Sequence, residues 1–393
     1  MGYPRRKSRR GKWLTISVCL FLLLLTAVAI LFFRHVTAVL PTERAAERWA
    51  RGDTHFGQVS AYFPQHHGLT QGSVQGITNW IRGSLVDQGF SLGPDGQGGD
   101  FSYAYSAQGV LQIRSPYQGE ISAYASFVGG DFFLFQSLPL LSGSYLPLDS
   151  INRDMVLLDE TLSWWLFGAT DVAGMPVYIE GDRHIVAGVY RPFGDFFSRA
   201  AYGEEPQLIL YYDAVADSIM PPITALQVVL PNPITGFAAS ILSEALENGG
   251  IEEDQFFLVN NTDRYRISAL IQVIRDYGSR SMYRAGLSLP FWENAGRMTE
   301  DYAALALVLV FLLLLFPVLR FAVYLVLRWR RRKFRLFRWL FRSWEDRSEA
   351  KKRKRRDTSP GKTIGPETRR ENEQAFDIEE IIRSVRESEE RDG

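Results

Sequence analysis

Phe127-Val-Gly-Gly-Asp-Phe-Phe133, Ser137-Leu-Pro-Leu-Leu-Ser-Gly-Ser-Tyr145 and Met155-Val-Leu-Leu-Asp-Glu-Thr-Leu-Ser-Trp-Trp-Leu-Phe-Gly168 follow one another in the middle of the chain. Asp171-Val-Ala-Gly-Met-Pro-Val-Tyr-Ile-Glu-Gly181 and His184-Ile-Val-Ala-Gly-Val-Tyr-Arg191 close the stretch. Met155 to Leu158 is a short apolar run, as a buried strand requires. Asp159 is placed to cap a following helix and Gly168 to end it. Val177 to Ile179, the Gly181-Asp182 turn and Ile185 onward read as a β-hairpin. The residues alone predict an α/β core segment.

Taken together, these submotifs resemble the extracytoplasmic core domain of MacB-type ABC transporter permeases. The shared features are an aromatic pair, a Leu-x-x-Gly-x-Tyr turn, a strand and helix ending in Leu-Phe-Gly, and a hairpin ending in a Val-x-Gly-Val strand. The match is firm from 127 to 191 and loose over the rest of the domain. The resemblance implies an α+β extracytoplasmic domain with mixed sheets, helices and two subdomains. One is expected to be a split layer of βα units and the other a lobe inserted at about 127–212. It also implies a permease of the MacB or FtsX-like kind, in which a partner ATPase moves the membrane helices and the outer domain changes shape. The family's three membrane helices after the domain are matched here by one apolar run.

Charge patterning works outward from that core. Of 393 residues, 44 are basic and 44 acidic, a zero that conceals strong segregation. The start to Trp13 holds only basic charges, 34–301 is strongly acidic, and 302–393 is basic again; every lysine lies in the two flanks. Cytoplasmic flanks of membrane helices carry excess Lys and Arg. The pattern therefore predicts both termini inside and the acidic middle outside the cytoplasmic membrane.

Two runs approach the roughly 20 apolar residues that span a bilayer. Residues 13–33 follow a basic start (1–12), and their length, with no small-x-small cleavage site close by, predicts an uncleaved anchor rather than a signal peptide. Residues 302–327 predict the second span, with Pro317 tolerated and Arg320 snorkelling. The extracytoplasmic domain is then 34–301. Cys19, the only cysteine, lies in the first run, so no disulfide can form within one chain.

Within the domain, Gln58 to Phe63 reads as an alternating strand and Leu69 to Val86 as a helix. Three short strands are expected at 101–105, 110–113 and 121–125. Thr235 to Glu247 and Tyr265 to Tyr277 read as helices, the latter with Ile267, Leu270, Ile271 and Ile274 on one side. Gly89 to Gly99 reads as a loop.

Several segments predict partners. Trp292 is expected at membrane-interface depth. The segment 328–356 mixes Arg328, Arg330, Arg331, Arg332 and Lys333 with Trp329 and Trp339, which predicts contact with anionic lipid head groups rather than nucleic acid. The tail 357–393 ends in a short amphipathic helix at 376–386. Its stripe of Phe376, Ile378, Ile381, Ile382 and Val385 is a candidate contact for a cytoplasmic partner. The implied partners are an ABC ATPase and a multi-span permease subunit, or further copies of the chain.

Enzyme chemistry is not expected, and no catalytic, metal or cofactor residue is assigned. Gly361-Lys-Thr363 has Arg356 where a phosphate-binding loop needs glycine, so no ATPase is expected in this chain. His66 and His67 are adjacent and diverge, a poor metal pair. Asp159 and Glu160 are explained by capping and a solvated face.

Overall fold

The computed structural model describes residues 9–50, 55–90, 101–147, 152–216, 220–278 and 289–356, with side chains between 13 and 330 inside those ranges. The Gly-rich stretch beyond residue 90, the basic start to residue 8 and the tail stripe lie outside the described residues.

The chain opens on α1 (Arg9–Val36), passes a 3-10 turn (Pro41–Arg44) into α2 (Ala45–Trp49), and continues as β1 (Phe56–Tyr62) and α3 (Gln71–Asp87). A long antiparallel hairpin follows, β2 (Ser102–Arg114) and β3 (Ile121–Gly130), then α4 (Phe132–Phe135) and β4 (Leu140–Gly143). Next come β5 (Met155–Asp159), α5 (Glu160–Phe167), β6 (Pro176–Ile179), β7 (Asp182–Tyr190), α6 (Phe196–Tyr202) and β8 (Gln207–Tyr211). The domain closes with β9 (Ala225–Pro231), α7 (Phe237–Asn248), β10 (Phe257–Asn260) and α8 (Ile267–Arg275), before α9 (Phe291–Arg356).

The strands form one mixed sheet in the order β10-β1-β9-β2-β3-β8-β5-β7-β4, with β6 bridging β2 and β7. β3 pairs β8 in parallel, and β5 pairs β7 in parallel; the other pairs are antiparallel. The α+β architecture expected from the sequence, a mixed sheet with helices packed on it, is the one observed. The flanking βα units and the 127–212 segment share this one sheet, joined through β2, β3 and β8.

Strand alternation divides the sheet into two packed faces. One face carries Val59, Ala125, Phe127, Val156, Leu158, Leu208, Leu210, Val228 and Leu230 against α3, α5 and α7. The other carries Val128, Leu157, Ile209, Tyr211 and Val229 against α2, α4 and Trp292. The two short strands expected at 101–105 and 110–113 are a single strand, β2. β1 does not alternate between buried and exposed, because both of its faces are covered.

The deciding stretch folds as its residues require. Gly130 sits at φ +66°, where a Cβ would lie 2.4 Å from the Tyr103 carbonyl oxygen. Only glycine allows this approach of β3 to β2. The chain can then turn so that Asp131 Oδ2 accepts a bond from Ser102 (2.7 Å) and Phe132 and Phe135 enter the core. Phe133 stacks on Tyr145 with ring centroids 4.5 Å apart, joining the aromatic pair to the Leu-x-x-Gly-x-Tyr turn. β6 and β7 meet in a two-residue turn, Glu180-Gly181, with both residues at positive φ.

Asp159 caps α5 as expected: its Oδ1 accepts from the Leu162 amide at 2.7 Å, and Gly168 terminates the helix. Glu160 pairs with Arg191 at 2.7 Å on the surface. Burial pushes the Asp159 carboxyl up to about 6, against the Leu162, Gln207 and Tyr202 hydrogen bonds that favour its charged form. The folded state therefore holds this proton more tightly than the unfolded chain. The resulting stability is full below pH 4 and is lost as pH rises through about 6. Asp159→Asn keeps a capping acceptor. It is expected to flatten the pH 4–6.5 dependence and raise relative stability at pH 7 by about 3 kcal/mol, read by thermal unfolding across pH.

Two described helices are long and apolar enough to cross a membrane, Trp13–Val36 and Phe291–Arg330, each containing an 18-residue window of high mean hydropathy, 3.0 and 2.8 respectively. α9 runs unbroken through Pro317 and Arg320.

Candidate functional site at the membrane-proximal junction

Three chain segments converge on Arg264: the turn after α1, the turn after β10, and the first turns of α9. Arg264 Nη1 donates to Glu43 Oε1 at 2.9 Å, its Nη2 to Glu293 Oε1 at 2.9 Å, and its Nε to Glu300 Oε1 at 2.6 Å. The Arg264 side chain is 1% exposed, and those of the three carboxylates 10% or less. Arg297 adds a second guanidinium on Glu293 at 3.0 Å and lies over the Phe257 ring at 4.6 Å. The group thus balances two buried cations against three buried carboxylates, so that removing one partner is costly.

The α9 side of the site follows from sequence spacing. Glu293, Arg297 and Glu300 stand at i, i+4 and i+7, one face of a helix. Between them is Gly296, whose missing side chain makes room for the guanidinium: a Cβ there would be 2.4 Å from Arg264 Nη1. Tyr265 and Thr299 share a 2.6 Å hydroxyl bond, adding a second tie between the β10 turn and α9.

Burial alone would lower the Arg264 guanidinium, but Glu293 and Glu43 outweigh it and hold it above its ordinary range. Burial pushes the Glu43 carboxyl up, against the pull of Arg264.

The polar contacts continue across the sheet. Asn261 donates to Glu43 at 2.8 Å and accepts from Ser60 at 2.8 Å. Gln227 donates to Ser60 at 3.2 Å, and Gln136, just after α4, donates to Gln227 at 3.4 Å. Gln58 fixes the α1 exit from the same face, donating to the Thr42 carbonyl and accepting from the Ala45 amide, each at 2.8 Å. One buried chain of hydrogen bonds therefore runs from α4 through β9 and β1 to the beginning of α9. Beside it opens a cavity of about 490 Å³, lined by Phe257, Asp263, Arg264, Asp276, Glu293 and Arg297 among others.

The arrangement offers electrostatic cohesion. Its acids are engaged by guanidiniums, and no described group of three His, Cys, Asp or Glu could hold a metal ion. His66 and His67 are exposed in a short turn.

Among the sequence candidates, Trp292 is a correction. It is 2% exposed, inside the domain, with its ring 5.7 Å from Phe132 and 5.2 Å from Phe291. It anchors α9 to the sheet instead of facing a bilayer interface, because α9 begins inside the domain. Arg328, Trp329 and Arg330 are exposed on α9. The backbone of α9 continues through Arg331, Arg332, Lys333 and Trp339, whose side chains lie outside the described residues, as do Phe376, Ile378, Ile381, Ile382 and Val385. The reading from sequence passed over Glu43, Arg264, Gly296 and Arg297. The available signal was the Glu293–Arg297–Glu300 spacing directly before an apolar run.

No family model and no curated protein matches this chain. Among solved structures it is similar to the periplasmic region of MacB from Actinobacillus actinomycetemcomitans: 17% identity, TM-score 0.39, covering 61% of this chain and 98% of that one. It is also similar to the extracellular domain of YknZ, a noncanonic ABC-type transporter from Gram-positive bacteria: 12%, TM-score 0.35, covering 52% and 100%. A third is a permease-protein domain from Porphyromonas gingivalis: 11%, TM-score 0.32, covering 56% and 96%. At these identities and TM-scores the likeness carries no conclusion about what this chain does.

Proposed function

We propose that the chain is a permease-like membrane subunit of an ABC-type transporter complex, with both termini cytoplasmic and the ATPase supplied by a partner. Its outer domain binds substrate or partners and changes shape when the membrane helices move. The observation that carries this reading is the buried junction, where the segment following α1 and the first turns of α9 share one guanidinium with the sheet. A displacement of either helix is resisted there by ion pairs that cannot be broken cheaply, so it is passed to β1, β9 and α4. The sequence resemblance from 127 to 191 and the segregation of charge point the same way. A multi-span permease subunit or further copies of the chain complete the complex. The arginines from 328 to 332, Lys333, Trp329 and Trp339 rest on anionic head groups, and the 376–386 stripe docks on a cytoplasmic partner.

Mild-detergent purification of the intact protein, with mass spectrometry of what accompanies it, tests this. An ABC ATPase with a multi-span permease is the expected result. Copies alone, or a cytoplasmic protein unrelated to transport, would favour a second reading, a membrane-anchored scaffold or receptor. That reading draws on the basic segment 328–356, which would recruit a cytoplasmic protein without any transport step.

A further inference from the structure

We propose that α8 lies in the boundary between head groups and acyl chains of the leaflet on the domain's side, with Ile267, Ile271 and Ile274 immersed in lipid. At 3.6 residues per turn these three side chains fall within about 60° of one another. They are 62%, 56% and 39% exposed, whereas Leu270 on the adjoining face is fully buried. Leu270 packs in one cluster with Val36 and Phe33 at the end of α1 and with Ala303, Ala304 and Leu307 of α9. Leu270 thus ties α8 into the cluster formed where the two apolar helices meet the domain, and leaves the isoleucine stripe exposed beside it.

A second element agrees. Phe196, the first residue of α6, is 58% exposed and sits 6.4 Å from Tyr302, itself 39% exposed on α9. Phe197 meets Tyr302 at 5.3 Å and belongs to the same cluster as Leu270. Exposed aromatic and isoleucine side chains therefore flank the emerging helices, while Ser268, Gln272 and Arg275 of α8 are exposed beside the stripe, on the side away from Leu270, and Asp276 follows the helix. A short helix with an apolar stripe and charged flanks suits the bilayer interface, and in water so concentrated an apolar patch is unusual.

This inference rests on α1 and α9 spanning a membrane. The test uses the full chain with Cys19→Ser, carrying one fluorophore at Ile271→Cys or, separately, at Ile274→Cys, in phosphatidylcholine vesicles doped with lipid spin-labelled high on the acyl chain. Phe311→Cys, exposed on α9, and Val110→Cys, exposed on β2, are the references. Quenching at Ile271 and Ile274 should exceed that at Val110 by about threefold or more, as for an interfacial apolar face. Quenching at Phe311 with Ile271 and Ile274 at the Val110 level would overturn the proposal and leave the membrane reading intact. Absence of quenching at Phe311 as well would overturn both.

Discussion

Arg264→Met is expected to lower the stability of the full-length protein by about 3–5 kcal/mol, the range for breaking a buried ion pair by removing one partner. The arginine is 1% exposed on its side chain and bonds Glu43, Glu293 and Glu300 at once. Methionine fills the volume but leaves three carboxylates facing one another, with Arg297 as the nearest remaining cation. They must then protonate, draw in water or separate. Separation frees the first turns of α9 from β10 and the α1 exit from both. Thermal unfolding in detergent reads this as a midpoint lower by about 10 °C at roughly 2–4 °C per kcal/mol. Glu300→Gln should cost far less, since Arg264 keeps Glu43 and Glu293. A loss for Arg264→Met no larger than for Glu300→Gln would show the junction to be solvated.

Gly296→Ala carries the second-largest expected effect, and its sign is informative. In a helix interior this exchange ordinarily stabilises by about 1 kcal/mol. Here the new Cβ would stand 2.4 Å from Arg264 Nη1 and 2.6 Å from its Cζ. The guanidinium must then leave its place between Glu293 and Glu300, so the net result is expected to be a loss of about 2 kcal/mol, the lost charge-assisted bonds outweighing the helix gain.

Much of the fold was legible because local rules and tertiary packing agree there. Asp159 and Gly168 bound α5 with the backbone each residue type favours; the β6–β7 hairpin turns at Gly181 as expected, but one residue earlier than a Gly181-Asp182 pair, with Glu180 in the left-handed region that non-glycine residues rarely adopt. The strand at Gln58 to Phe63 was legible as a strand but not as to its surroundings. An alternating Gln58, Ser60 face ordinarily meets water; here it meets Thr42, Asn261 and Gln227 in the interior. Trp292 misled in the same way: a tryptophan ahead of an apolar run resembles an interface anchor, yet α9 starts eleven residues before Tyr302, inside the domain. The junction itself was not legible. Glu43, Arg264 and Glu293 lie far apart in sequence, and only the return of β10 beside β1 brings them together. Local spacing could flag Glu293, Arg297 and Glu300, but not the arginine they surround.

The central claim is that one buried guanidinium locks the start of α9 and the α1 exit to the sheet. It is tested most directly by measuring the stability change of Gly296→Ala twice, in the wild-type chain and in the Arg264→Met chain. The expected result is a reversal: a loss of about 2 kcal/mol with Arg264 present and, with the guanidinium gone, a gain approaching about 1 kcal/mol. Equal effects in both backgrounds, additive within about 0.5 kcal/mol, would contradict it.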